Sequence, residues 1–237
     1  FDLTHEIPAY NIWEASYRLR QAARYWPAGT VFVSVIDPGV GSERKSIVMK
    51  TKSGHYFVTP DNGTLTLIAD DLGIAEVRLI DETKNRLKNS SQSYTFHGRD
   101  VYAYTGARLA AGIISFAQVG RTLGQEVVRL DYQKPVIEDG KISGNIDILD
   151  IQYGNVWTNI DQKTFARLDL KPGDMTRVKI QHKSETVFER DILFGNTFTD
   201  VAEGQPVGYL NSLMNFALAI NRGNFPGRYK IASGPEW

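Results

Sequence analysis

The sequence predicts an α/β N-terminal domain with a largely parallel central sheet, followed by a smaller all-β barrel-like C-terminal domain. Three observations predict it. Helical-period segments alternate with buried apolar runs from Ile12 to Ala111. After Val128 the pattern turns into short alternating segments separated by glycine and polar turns. Between the two patterns, residues 131–135 read DYQKP, a linker composition. The domains expected are therefore 1–130 and 136–237, in a chain of 237 residues that is long enough to bury a sizeable core.

The elements follow in order. Ile12, Ala15, Leu19, Ala22 and Trp26 recur at helical spacing, and Pro27-Ala28-Gly29 stops that helix before a strand expected over residues 31–36. Strands at 46–50 and 56–59 flank a turn at Gly54, and Pro60-Asp61-Asn62-Gly63 opens a helix to about Asp70. A further strand is expected at 75–80. Residues 81–94 are polar and aperiodic and read as an exposed loop, before a long helix from about Arg99 to Ala111. In the second half, residues 144–150, 177–180 and 185–188 alternate as short strands. Helices between strands are what suggests a parallel sheet.

Composition removes several functions. Lys plus Arg and Asp plus Glu stand at 27 each, so no global field would draw the chain to nucleic acid or to an anionic membrane. Without cysteine, disulfides, thiolate nucleophiles and cysteine-rich zinc sites are excluded. No apolar stretch approaches the roughly 20 residues of a membrane span, and no basic-then-apolar leader opens the chain. No metal site is expected: His5-Glu6 lacks the second histidine of a zincin helix, and no acidic cluster suggests magnesium. The chain begins at Phe1 with the pattern already under way, so an N-terminal piece is expected to precede it.

Four stretches could carry chemistry, each beside an ordinary reading. IDPGVGSER, residues 36–44, sets Asp37 at a strand end, where α/β proteins bind ligands, but it also suits a tight turn with a surface Asp–Arg pair. TFHGRD, residues 95–100, brings His97 to a helix N-terminus, where the dipole disfavours its protonation; Arg99 and Asp100 could equally be a first-turn ion pair. Residues 147–160, DILDIQYGNVWTNI, offer Asp150, Asn155, Asn159, Tyr153 and Trp157 to a heteroaromatic ring, or else form a hairpin with a packed tryptophan. In residues 210–224, LNSLMNFALAINRGN, Asn211 and Ser212 could simply cap a helix-like run.

Together these stretches resemble the SAM hydroxide adenosyltransferase family, adenosine-forming S-adenosylmethionine (SAM) hydrolases related to the fluorinating and chlorinating SAM enzymes. THEIPAYN, GTVFVSVIDPGVGSER, FVTPDNGTL, TFHGRD, GNVWTNI and LNSLMNFALAINRGN follow in the family's order over nearly the whole chain. The resemblance implies hydrolysis of SAM to adenosine and L-methionine, without a cofactor, in a homotrimer whose sites lie at subunit interfaces; a cytoplasmic location is expected from where SAM is available. It implies Asp37, Arg44 and His97 as the catalytic group around the nucleophilic water.

For binding, the resemblance implies Tyr10 against the ribose and sulfonium, Phe96 and Gly98 beside the catalytic histidine, and Asp150 on the methionine ammonium. It implies Asn155 on an adenine edge, Trp157 and Phe194 as aromatic walls, Ser212 at the methionine carboxylate with Asn211 among the binding residues, and the backbone around Asn221 and Arg222 completing the adenine pocket. Two departures stand out. Nothing corresponds to the family's first strand with its Thr-Asp-Phe-Gly, and Leu213-Met214 replace a polar residue and glycine. A halogenase is the nearest rival, disfavoured because the Asp37 carboxylate would repel halide; a catalytically idle SAM- or adenosine-binding module is the other.

Overall fold

The computed structural model describes residues 1–237. The chain divides into two compact units, Phe1–Leu130 and Asp131–Trp237.

In the first unit, α1 spans Ile12–Ala23, capped by Asn11, whose side chain accepts from the Glu14 amide. Its inner face carries Trp13, Ala15, Tyr17 and Leu19, and it stops short of Trp26 as Pro27 approaches. Buried Ser16 on the same face accepts from the Leu67 amide at 3.0 Å. That bond supplies a partner at the start of α2 (Thr66–Leu72), which has no capping side chain of its own.

The strands are β1 (Val31–Val33), β2 (Ser46–Thr51), β3 (Tyr56–Pro60), β4 (Ile74–Leu79) and β5 (Thr122–Gly124), in the spatial order β1-β3-β2-β4-β5. Only β1 and β3 run parallel; β2 pairs antiparallel with β3 and β4, and β4 with β5. The largely parallel sheet expected from the alternation of helices and strands is corrected accordingly. The turn at Gly54 makes β2 and β3 a hairpin, and a hairpin can only be antiparallel. Both faces of the sheet are covered. Ile47, Met49 and Phe57 pack with Leu19, Phe32 and Ile68 on one side, while Val48 and Val58 meet Val101 and Tyr102 on the other. This double burial is why β2 and β3 read as continuous apolar runs.

β1 is half the expected length. Ser34 still bonds to Val58, but the chain then leaves the sheet, and the Ile36 carbonyl is held by the Asn62 amide side chain at 2.8 Å. The expected helix from Arg99 is a turn of π-helix, Gly98–Ala103, followed by α3 (Tyr104–Ala110). Such widened turns recur at functional sites. Residues 81–94 form the expected loop, built of turns.

The second unit opens with the hairpin β6 (Val136–Glu138) and β7 (Lys141–Ser143). A six-stranded half-barrel follows, built from β8 (Ile146–Asp150), β9 (Asn155–Asp161), β10 (Met175–His182), β11 (Glu185–Phe194), β12 (Pro206–Leu210) and β13 (Asn215–Ile220). Its order is β10-β11-β12-β13-β9-β8, so β8 and β10 are edges. The all-β, barrel-like expectation is thus corrected in two respects: the sheet does not close, and short helices α4 (Gln162–Phe165) and α5 (Phe225–Tyr229) belong to the unit. α5 helps to cover one face, where Phe225 packs among Val156, Phe188, Leu218 and Ile220. The helix-like run behind Ser212 is β13, whose Phe216 and Leu218 enter this core while Ala217 and Ala219 face the other side. That alternation has the period of a strand.

Candidate active site

Asp37 lies just past the end of β1. Two successive turns, Val40 amide to Asp37 carbonyl and Ser42 amide to Gly39 carbonyl, bring the chain back toward its start. Gly39 leaves room for the return: a Cβ there would stand 3.2 Å from Ser42 Oγ and 3.3 Å from Arg44 Cγ. Gly41 has φ +79°, a conformation that side chains rarely adopt.

The loop therefore delivers Arg44 onto Asp37. Arg44 Nε donates to Oδ1 at 2.9 Å and Oδ2 at 3.1 Å, and Nη2 donates to Oδ2 at 2.5 Å. The side chains are only 10% and 5% exposed. This is not the surface pair of the ordinary reading. Burying two charges is costly, and the forked geometry is what offsets the cost.

His97 precedes the π-helix and reaches the same guanidinium from a loop 53 positions away: its Nδ1 stands 2.9 Å from Arg44 Nη2. A guanidinium has donors and no acceptor. Nδ1 must therefore accept, which assigns neutral His97 its proton on Nε2. That Nε2 is buried and has no protein partner, so the site holds a free N–H donor in a residue only 5% exposed. Burial holds the His97 pKa below its usual value; Glu82 opposes the shift, while Arg44 and Arg86 add to it. For Arg44, burial pulls the guanidinium down, but the Asp37 hydrogen bond, with Tyr102 and Glu82, more than compensates and keeps it above its usual range.

Around this group, Phe96 is exposed and lies under the Arg99 guanidinium, 4.8 Å from its ring centroid. Arg99 also donates to fully buried Asp100 at 2.6 Å, the first-turn ion pair of the ordinary reading. Gly98 packs where a Cβ would stand 3.2 Å from Val35 Cγ1. Tyr10 is 75% exposed and sits at φ +71°, just before α1. A strained tyrosine presenting its ring to solvent has no packing role in this unit.

In the second unit, Asp150 closes β8 and Asn155 opens β9, paired across a hairpin with Asn155 Nδ2 donating to Asp150 Oδ2 at 3.3 Å. The hairpin of the ordinary reading is present, and it carries the acid and the amide together. Trp157 is half-buried on the face of Ala217 and Tyr209. Phe194, at 6% exposure, is a core ring tilted against Phe165, with ring centroids 4.8 Å apart. Asn211 is buried and accepts from the Leu213 and Asn215 amides, shaping the turn that leaves Ser212 exposed. This turn adjoins Gln162, beyond the far end of β9 from Asn155, so the two groups stand at opposite ends of that strand. Arg222 is exposed, with φ +53°, and pairs with Glu203 at 3.2 Å.

Sequence reasoning missed two residues at Arg44, namely Ser46 and Tyr102. Ser46 is a lone polar residue opening an apolar strand, which is its only signal; Tyr102 is hidden in an apolar helix face.

An α/β unit bearing a buried acid–guanidinium–imidazole group and a mostly β unit displaying an acid, an amide and an indole together define a two-domain class with a polar centre in its first unit. The chain belongs to the SAM hydroxide adenosyltransferase family: residues 1–120 match its N-terminal domain and 144–237 its C-terminal domain. It is 44% identical over 185 residues to the (R)-S-adenosyl-L-methionine hydrolase of Methanocaldococcus jannaschii, an alignment covering 77% of this chain and 61% of that protein. It is 29% identical over 258 residues to a fluorinase of Actinoplanes sp., covering 98% and 84% of the two chains. Among solved structures, an uncharacterized conserved protein from Thermotoga maritima superposes with a TM-score of 0.86 at 37% identity, covering 99% of this chain and 86% of that one.

Proposed function

We propose that this chain hydrolyses SAM to adenosine and L-methionine by attack of water on the ribose C5′. The observation that carries the reading is the buried Asp37–Arg44–His97 group with its unpartnered Nε2–H. The C5′–O bond forms as the C5′–S bond breaks, its electron pair going to sulfur. Sulfur leaves as a neutral thioether and needs neither a general acid nor a cofactor. What the reaction needs is a water held in line and able to shed a proton.

Each residue has a task that its protonation state permits. Neutral His97 donates through Nε2 to the water oxygen and stabilises developing hydroxide, and the Arg44 charge nearby does the same. His97 cannot be the base, since its Nδ1 lone pair is engaged by Arg44. Asp37 is the acceptor in the group, and the proton goes to its carboxylate. General acid–base help of this kind is worth about 10²–10⁴-fold.

Substrate binding is assigned to Tyr10, Phe96 and Gly98 of the first unit and to Asp150, Asn155, Trp157, Phe194, Asn211, Ser212 and Arg222 of the second. The family relationship supports this assignment, together with a homotrimer; the availability of SAM supports a cytoplasmic setting. Incubation with SAM followed by chromatography tests the reading. Equimolar adenosine and methionine are expected; tight SAM binding without either product would show an idle binding module instead.

A further inference from the structure

The Asp37–Arg44–His97 group uses only two edges of the Arg44 fork. On the third edge, Arg44 Nη1 donates to Ser46 Oγ at 3.1 Å, and Ser46 Oγ stands 3.1 Å from the Tyr102 hydroxyl. The guanidinium also lies 5.6 Å from the centroid of the Tyr102 ring, in cation–π range. Tyr102 is fully buried and Ser46 is 4% exposed.

The direction of these bonds is set by elimination. Arg44 only donates, so Ser46 Oγ accepts from it. Ser46 Oγ is the hydrogen-bond partner of the Tyr102 hydroxyl, and a buried phenol proton left unused is costly. Tyr102 therefore donates to Ser46 as well. Arg44 and Ser46 also help to line a cleft of about 600 Å³, with Glu82 and Arg121.

That cleft makes the brace matter. A long arginine beside open, polar space has other rotamers available, with acidic Glu82 on the cleft wall to attract it. Asp37 grips Nε and Nη2 but leaves Nη1 free, so the ion pair alone does not close the far side of the fork.

We propose that Ser46 and Tyr102 are positioning residues that clamp the outer edge of Arg44 and so keep its Nη2 aimed at His97 Nδ1, holding His97 in the Nε2–H form. The clamp rests on the hydrolase reading for its consequence in turnover, but not for its effect on the imidazole.

The test uses the whole chain with ¹⁵N-labelled histidine at pH 8. In the parent, the His97 ring signals are expected to show an unprotonated Nδ1 and a protonated Nε2. In Ser46→Ala and Tyr102→Phe they should move toward tautomer-averaged values, and Ser46→Thr should restore them. SAM turnover should fall about 5- to 10-fold in the first two variants, with KM within about 2-fold. Imidazole signals identical to the parent's in both variants would overturn the clamp, and so would unchanged kcat in an active parent. A parent that does not hydrolyse SAM would refute the proposed reaction, while the imidazole signals still decide the clamp. Should Tyr102→Phe fail to fold, Ser46→Ala and its threonine rescue carry the same comparison.

Discussion

Arg44 Nη2 stands 2.9 Å from His97 Nδ1 while the same nitrogen is bonded to the Asp37 carboxylate. One donor group thereby ties an acid at the end of β1 to an imidazole carried by another loop. It also settles which imidazole nitrogen bears the proton.

Substitutions in this group should separate chemistry from binding. Asp37→Ala, Arg44→Ala and His97→Ala are each expected to lower kcat by about 10²-fold or more, with KM within a few-fold. Arg44→Ala carries a further penalty, because it leaves Asp37 buried without its partner, at about 3–5 kcal/mol. Steady-state kinetics alongside thermal melting would tell the two effects apart, and unchanged turnover in any variant removes that residue from the reaction.

The pH dependence follows from the depressed His97. Burial, the first cause of the shift, disfavours the charged ring, so the neutral donor persists below the ordinary histidine value of about 6.5. Turnover should stay level down through that value and fall only at lower pH. In the window between the folded and unfolded pKa the unfolded chain binds the extra proton, so stability falls as pH drops from about 6.5. Melting curves from pH 7.5 to 5 should lose part of this slope in His97→Gln; an identical slope would show that His97 is not its source.

The choice of nucleophile is testable directly. With a carboxylate at Asp37, added chloride or fluoride should leave no 5′-halo-adenosine among the products, since an anion beside that charge is repelled. Halogenated nucleoside, detected by mass spectrometry, would move this chain to the halide-using side of its family.

Asp150 and Trp157 should act on binding instead. Asp150→Asn removes the charge proposed to meet the methionine ammonium, and a rise in KM of about 10-fold is expected with a smaller change in kcat. An unchanged KM would take Asp150 out of the substrate site.

A backbone position offers a check on the fold. A Cβ on Gly120 would stand 2.0 Å from the Leu79 carbonyl oxygen and 3.0 Å from the Asp81 amide, both rigid backbone atoms. Gly120→Ala should cost about 1–3 kcal/mol, read as a Tm lowered by roughly 2–10 °C. A Tm equal to the parent's would mean that β4 and the segment before β5 are not packed this closely.

By itself the sequence determined the local and the ordered: where most helices and strands lie, the change of pattern near Val128, and the motifs whose family order points to SAM. Those signals are carried by neighbouring residues, in apolar period, in turn glycines such as Gly41, and in contiguous strings such as TFHGRD. Tertiary structure alone decided what depends on contacts between distant positions. Strand direction beyond the β2–β3 hairpin did, because β3 and α2 separate β4 from β2 in the chain, and neither strand's side chains say in which sense the two pair. So did the open edges of the second sheet. The length of β1 also did, since Asn62 draws Ile36 out of the strand. Above all, the state of the site did: neither Asp37 nor His97 signals from sequence that one guanidinium serves both, nor that Ser46 and Tyr102 close its remaining edge. Hydrogen-bond direction is a property of geometry, and geometry is what folding supplies.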